Sequence, residues 1–206
     1  MKALVSGFES FGNNIKNPTK ELIHKVQEKK LDGVEIKTAL LPVEYDNCFY
    51  YLKKEIESFK PDIIISCGLY ANRSAISIER LGINIKDTMS EDPIPDNRGY
   101  APTDETIDVM GPDAIFTNLP YRKIVNQLIK KKIPAHISNS AGTYICNNIM
   151  YETLNFTRKK GLNTRVGFIH FPADTDMAIE NPHMPSLPIE VMLKALVIAI
   201  ETTARN

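Results

Sequence analysis

The chain has 206 residues, of which 43% are hydrophobic, and this length suits one compact domain spanning residues 1–206. Its 25 basic side chains are balanced by 25 acidic ones, so no net charge draws the protein to nucleic acid or to an anionic membrane. The longest apolar runs, such as residues 63–65 and 195–200, are too short to span a bilayer, and residues 1–12 lack the apolar core of a signal peptide. We therefore expect a cytoplasmic protein whose partner is small or neutral.

Short β-rich runs alternate with helical patterns, which is typical of an α/β fold whose central sheet is at least partly parallel. The predicted strands fall near residues 2–6, 34–41, 62–67, 75–85, 135–139 and 165–171. The predicted helices fall near residues 18–29, 43–58, 119–131, 143–159 and 188–203. Asn17 and Pro18 favour the start of the first helix, because Asn is a good N-cap and Pro has a preset φ.

Residues 89–116 interrupt this alternation. They contain four prolines, two glycines and many acidic residues, a composition that suits neither a helix nor a strand. A loop of this length in a compact domain is usually a lid, a binding loop or a disordered segment. We expect residues 89–116 to form a lid or an interface loop.

Three cysteines lie far apart in the sequence, at Cys48, Cys67 and Cys146. Their number is odd, and they form neither a CxxC pair nor a cluster with metal-ligand spacing, so a disulfide framework and a zinc site are not expected. The default role of such a cysteine is that of a small buried hydrophobic residue. A nucleophilic role needs a local reason.

Cys146 has such a reason, because residues 137–147 are predicted to run from a strand through a small-residue turn into a helix. This places Cys146 in the first turn, where the helix dipole and free N–H groups favour a thiolate and lower a thiol pKa of about 8.5. The same N–H groups can stabilise an oxyanion. The alternative is a structural cysteine at the start of a core helix.

His170 is predicted to lie close to Cys146. The helix from about residue 143 to 159 carries the chain about 25 Å away, and a strand of about 20 Å ending at His170 returns it. In a right-handed parallel βαβ crossover, the end of that strand and the start of the helix share one sheet edge. Cys146 and His170 are therefore candidates for a nucleophile and its general base, although a lone His at a strand end is more often structural.

The residues alone do not identify the acid that would orient the imidazole of His170. Spacing alone does not choose among Glu79, Asp174 and Asp176.

Several motifs with defined spacing follow one another along the chain. They include residues 7–12 (GFESFG), 73–80 (RSAISIER), 94–99 (IPDNRG), 138–147 (SNSAGTYICN) and 167–170 (GFIH). In this order they resemble the pyroglutamyl peptidases, also called pyrrolidone-carboxylate peptidases, and the resemblance covers nearly the whole chain.

The resemblance implies a cysteine peptidase that removes an N-terminal pyroglutamyl residue from peptides. It implies a single-domain α/β/α sandwich with a mixed, largely parallel sheet, no metal or other cofactor, and assembly as a homodimer or homotetramer. It also implies a catalytic triad of Cys146, His170 and Glu79.

The substrate pocket implied by the resemblance is apolar or aromatic at every position, which suits the neutral lactam ring of a pyroglutamyl residue. Its residues are Phe8, Phe11, Val43, Ile94, Tyr144 and Ile145.

The chain departs from the family pattern before Ile94, where relatives usually have Asp-Ala-Arg. Here residues 87–93 are longer and lack the Arg. Since an Arg near the reacting carbonyl would stabilise negative charge, we expect slower turnover with pyroglutamyl specificity retained. The alternatives are an amidase for another small cyclic or acylated amine, and a weakly active protein that binds pyroglutamyl peptides.

Overall fold

The computed structural model describes residues 1–12, 16–88 and 94–206, and these form eight strands and six helices. The strands are β1 (Lys2–Phe8), β2 (Glu35–Leu41), β3 (Ile63–Leu69), β4 (Ile76–Glu79), β5 (Leu81–Ile83), β6 (Ala114–Phe116), β7 (Ala135–Ser138) and β8 (Arg165–Phe171). The helices are α1 (Pro18–Gln27), α2 (Tyr45–Phe59), α3 (Tyr121–Lys130), α4 (Ile145–Lys159), α5 (Thr175–Glu180) and α6 (Ile189–Ala204).

Six strands form one central sheet in the order β2-β1-β3-β8-β4-β7. The first four run parallel to one another, whereas β4 and β7 run parallel to each other and antiparallel to β8. Strands β5 and β6 form a separate two-stranded antiparallel ribbon. The predicted α/β fold with a mixed, largely parallel sheet is therefore confirmed.

Helices cover both faces of the sheet, which makes three layers. Helices α1, α3 and α6 pack their apolar side chains on one face, and α2 and α4 pack on the other. Strand β3 is buried along its entire length because both of its faces are covered. The N-terminus of α1 is as predicted, with Pro18 in the first turn and the Asn17 side chain accepting a hydrogen bond of 3.1 Å from the Thr19 N–H.

The predicted strand over residues 75–85 is two strands in different sheets. The chain changes partner at Arg80, whose N–H donates to the carbonyl of Ser138, the last residue of β7, and whose carbonyl accepts from the Thr117 N–H just after β6. The short helix α5 was not predicted. It is capped by Asp174, whose side chain accepts a hydrogen bond from the Met177 N–H.

The prediction of a parallel β7-α4-β8 crossover is wrong, because β7 runs antiparallel to β8. The start of α4 nevertheless lies near the end of β8, since the short strand β4 pairs only with residues 168–170 of β8 and the short strand β7 pairs with β4. Ser138, the last residue of β7, is the register partner of Glu79 in β4. Glu79 is in turn the register partner of Phe168 in β8, two residues before His170. A short turn from Ser138 therefore brings the chain to the neighbourhood of His170.

The predicted loop over residues 89–116 lies partly outside the described residues, at 89–93. Within its described part, Glu105 forms an isolated antiparallel bridge with Lys86. The expectation that this region contains no strand is wrong at its end, because β6 forms there and pairs with β5. Asp96 is buried, and its carboxylate accepts hydrogen bonds from the N–H groups of Tyr45, Arg98 and Tyr100.

In the described ranges, no helix is long and apolar enough to cross a membrane.

Candidate active site

Cys146 is the second residue of α4, as the sequence predicted. The turn before it depends on Gly142, whose φ of 80° is rare for residues with a Cβ and whose N–H donates to Ser140 Oγ at 3.1 Å. The next residue, Asn147, is buried and bonds through its side-chain amide to the backbone of Ile83 and Ile85, at 2.9 Å each. These contacts fix the first turn of α4 against β5.

The Cys146 thiol lies directly over Gly68 near the end of β3. A Cβ added to Gly68 would meet the Cys146 Sγ at 2.9 Å and the Phe168 ring at 2.6 Å. Gly68 is the register partner of His170 on the adjacent parallel strand. Because register partners direct their side chains to the same sheet face, Cys146 and His170 share one face at this position.

His170 is buried between aromatic rings and a carboxylate. Its Nδ1 lies 2.8 Å from Glu79 Oε1, and both side chains are almost fully buried. The Phe168 ring is 4.8 Å from the imidazole between centroids, and the Tyr70 ring is 5.4 Å away in an edge-on arrangement. A carboxylate that accepts from Nδ1 leaves Nε2 as the nitrogen able to accept a proton.

Of the three acids that spacing left open, Glu79 is the one that contacts His170. Asp174 caps α5 and forms an ion pair of 3.4 Å with Lys16. The exposed Asp176 pairs with the same lysine at 2.5 Å. Local sequence could not distinguish Glu79, because its contact with His170 joins residues far apart in the chain.

Burial controls the ionisation of the site. It raises the pKa of the Cys146 thiol to about 12, and the Glu79 carboxylate adds to this, whereas Arg73 and the Cys146 N–H oppose it. The prediction that the helix N-terminus lowers this thiol pKa is therefore wrong, since desolvation outweighs it. Burial also lowers the pKa of His170 from its ordinary value, although the Glu79 carboxylate favours the imidazolium. The resting pair is a neutral thiol and a neutral imidazole.

A small apolar cavity of about 20 Å³ opens beside Cys146. Five of the six predicted pocket residues line it: Phe8, Phe11, Val43, Tyr144 and Ile145. The sixth, Ile94, does not line the cavity. Its side chain is 52% exposed and lies beside Gly12.

Two further residues, Asn17 and Leu69, line the cavity and were not predicted. Leu69 ends β3 at the carboxyl edge of the sheet, where open α/β sheets bind their ligands, and this position could have indicated it. Asn17 caps α1, so the sequence pattern around it predicted a structural role and gave no indication that it lines a cavity.

Residues 95–97, in the described part of the predicted loop, form hydrogen bonds to residues that line or flank this cavity. The Tyr144 hydroxyl donates to the Pro95 carbonyl at 3.1 Å. The Asn97 N–H donates to the Val43 carbonyl, and the Asn97 side chain donates to the Ser10 carbonyl. Most of the change that removes the family's Arg lies at residues 89–93, outside the described residues.

A sandwich of α and β layers that places a thiol near a buried histidine–carboxylate pair, beside an apolar cavity, is typical of a thiol hydrolase. Residues 1–206 match the family model of the pyroglutamyl peptidases. The pyrrolidone-carboxylate peptidases of Thermococcus onnurineus and Brachyspira hyodysenteriae are each 38% identical, covering 100% of this chain and of the relative. A crystal structure of Pyrococcus furiosus pyrrolidone carboxyl peptidase, from work on that enzyme and its cysteine-free mutant, matches with a TM-score of 0.95 and 39% identity. The match covers 100% of this chain and 99% of that chain.

The chain therefore belongs to the pyroglutamyl peptidase family, a family of cysteine peptidases.

Proposed function

We propose that this chain hydrolyses the amide bond after an N-terminal pyroglutamyl residue of peptides, with Cys146 as nucleophile, His170 as general base and Glu79 as the acid that orients His170. The observation that supports this best is the arrangement of the site: the Cys146 thiol lines an apolar cavity on the sheet face that also carries His170, and Glu79 lies 2.8 Å from the imidazole.

In the first half-reaction, His170 Nε2 removes the thiol proton while its Nδ1–H donates to Glu79. The Cys146 sulfur adds to the pyroglutamyl carbonyl carbon, and the carbonyl oxygen becomes an oxyanion. The imidazolium then protonates the leaving amine, the C–N bond breaks, and a thioester remains. Because the resting thiol is neutral, proton transfer to His170 accompanies the attack.

In the second half-reaction, His170 takes a proton from water as the water oxygen adds to the thioester carbon. The sulfur leaves and regains its proton, which releases pyroglutamate. The N–H groups of Asn147 and Asn148 donate to the Tyr144 carbonyl, whereas the Cys146 N–H lies against its own Sγ. We assign the Cys146 N–H as an oxyanion donor because it lies nearest the reacting carbon.

The apolar cavity supports the substrate class. A pyroglutamyl residue has no ammonium group, so it loses little hydration when aromatic and aliphatic side chains surround it. An ordinary N-terminus would leave a charged group there without a carboxylate partner. We propose that Phe8, Phe11, Val43, Tyr144 and Ile145 hold the lactam ring, with Ile94 at the mouth beside Gly12.

The test is hydrolysis of a fluorogenic pyroglutamyl amide by the purified chain, with prolyl and N-acetyl amides alongside. Cys146→Ser is expected to abolish turnover. Cys48→Ser is the matched control, because Cys48 is buried, does not line the cavity, and donates to the Tyr45 carbonyl, a bond that serine preserves. Preference for another amide would favour an amidase of different specificity, and tight binding without turnover would favour a binding protein.

We propose that residues 1–206 act as one domain and that residues 89–116 form a lid or interface loop, in which residues 95–97 lie against the substrate site. The bonds of Asn97 and Pro95 to residues that line or flank the cavity support this. Asn97→Ala is expected to raise KM for the pyroglutamyl amide more than it lowers kcat, because Asn97 bridges the cavity walls without approaching His170.

We propose that the chain assembles as a homodimer or homotetramer in the cytoplasm. Exposed apolar side chains support assembly, with Val109 at 86%, Met110 at 87% and Phe116 at 64% exposure. Light scattering on the wild type and on Val109→Lys measures the subunit number, and a monomeric wild type would contradict assembly. Cell fractionation tests the compartment.

A further inference from the structure

Arg73 lies between β3 and β4, and its guanidinium reaches into the site. Its Nη1 donates to Glu79 Oε1 at 2.7 Å, and its Nη2 donates to the Ser140 carbonyl at 3.3 Å. Its guanidinium carbon lies 4.1 Å from the centroid of the Tyr70 ring. The Arg73 side chain is only 20% exposed, so these contacts lie in a partly desolvated setting.

Arg73 and His170 share one oxygen of Glu79. Oε1 accepts from both, at 2.7 Å and 2.8 Å. Oε2 is buried and has no hydrogen-bond partner among the residues that the structure describes. The orientation of the carboxylate therefore depends on two donors to one atom, and without Arg73 only the imidazole would hold it.

The other contacts of Arg73 connect the remaining parts of the site. Ser140 belongs to the turn that leads into α4, and its hydroxyl accepts from the Gly142 N–H. Tyr70, on which Arg73 stacks, packs edge-on against His170. One guanidinium thus touches the acid, the turn before the nucleophile and the ring beside the base.

We propose that Arg73 is a positioning residue for the proposed hydrolysis: its guanidinium holds the Glu79 carboxylate in the orientation that meets His170 Nδ1, so that Nε2 can accept the thiol proton. This inference rests on the proposed function, since its catalytic consequence requires that His170 be the base. In this proposal Arg73 does not touch the substrate, and it acts on the reaction through Glu79.

The charge of Arg73 acts in a defined direction. The groups that face His170 are Glu79 from β4, Arg73 from the preceding loop, Cys146 from α4 and the Tyr70 ring. Glu79 raises the pKa of His170, whereas burial and Arg73 lower it. Arg73 also lowers the pKa of Cys146. Removal of the guanidinium is therefore expected to raise both pKa values.

The experiment compares Arg73→Met and Arg73→Lys with the wild type. Arg158→Met is the matched control, because it removes a guanidinium that bonds Asn155 within α4 and leaves Glu79 untouched. The readouts are kcat and KM on a pyroglutamyl amide, the pH dependence of kcat/KM, and the His170 pKa by NMR of ring-labelled protein, assigned with His170→Asn. Thermal melting shows whether each variant is folded.

We expect Arg73→Met to lower kcat at least tenfold with KM changed less than threefold. The His170 pKa and the acid limb of the pH profile are expected to rise, since the positive charge that shares Glu79 Oε1 with the imidazole is removed. Arg73→Lys is expected to restore most of the pKa and only part of kcat, because an ammonium keeps the charge but not the planar fork.

A folded Arg73→Met protein with an unchanged His170 pKa and unchanged kcat would overturn the proposal. A lower melting temperature with an unchanged pKa and pH profile would also overturn it, because it would show a purely structural role. The NMR titration needs no substrate. An inactive wild type would thus contradict the proposed function, while the effect of Arg73 on His170 would still be measured.

Discussion

The sharpest test of the site is Glu79→Gln, which removes one charge from a fully buried position. Glutamine has nearly the same size, and its Oε1 can still accept from Arg73, so the variant is expected to fold. It cannot stabilise the imidazolium as a carboxylate does. Its amide nitrogen is also a donor, which favours the wrong tautomer of His170 if it turns toward Nδ1.

The size of the effect follows from the contact of 2.8 Å between Glu79 and His170. Two unit charges about 4 Å apart at an effective dielectric constant of about 20 interact by about 4 kcal/mol, which corresponds to about 10³ in rate. The equivalent change in a Ser-His-Asp triad costs about 10⁴. We therefore expect kcat to fall by about 10³ to 10⁴, with KM little changed because Glu79 does not line the cavity.

The assay is initial-rate hydrolysis of a pyroglutamyl amide by protein whose melting curve matches the wild type. Asp174→Asn is the matched control, because Asp174 caps α5 and pairs with Lys16, and its kcat is expected to stay within about threefold. A folded Glu79→Gln enzyme with kcat within tenfold of the wild type would refute the orienting role. A large loss in Asp174→Asn instead would move that role to α5.

Three further predictions follow from the same geometry. The acid limb of kcat/KM is expected to have its midpoint below pH 6.5, because the reaction needs neutral His170 and burial lowers its pKa; a midpoint above 7 would contradict this. Iodoacetamide followed by mass spectrometry is expected to label Cys146 before the two buried cysteines, because Cys146 is partly exposed, but more slowly at pH 7 than an exposed thiol because its pKa is raised to about 12. Gly68→Ala is expected to lower the free energy of unfolding by about 1–3 kcal/mol in denaturant titrations and to reduce kcat, because the new Cβ would lie 2.9 Å from the Cys146 Sγ; unchanged stability and kcat would show that the thiol moves freely.

The local sequence was sufficient for the main elements. Five helices and the six predicted strand regions followed from apolar periodicity, turn residues and the cap at Asn17, because these signals act within a few residues. The same signals placed Cys146 in the first turn of a helix and His170 near the end of a strand. The pocket positions came from the family resemblance, and the residue types at those positions predicted an apolar pocket.

Long-range contacts required the tertiary structure. The spacing did not choose Glu79 over Asp174 and Asp176, because strand direction and register bring Glu79 to His170 across the sheet. The assumed parallel crossover was wrong, and Cys146 nevertheless lies near His170, because β7 pairs with the short strand β4, which in turn pairs with the last part of β8.

Electrostatics also depended on the fold. From the sequence, the helix N-terminus predicted a lowered pKa for Cys146, whereas the packed layers over the thiol raise it. Burial depends on which helices cover which face of the sheet, and no local pattern records it. The sequence by itself determined Cys146 and His170 as the candidate nucleophile and base, and the family resemblance implied Glu79. Only the tertiary structure revealed the contacts of Glu79 with His170 and Arg73, because those contacts join segments that are distant in the chain or lie in different elements.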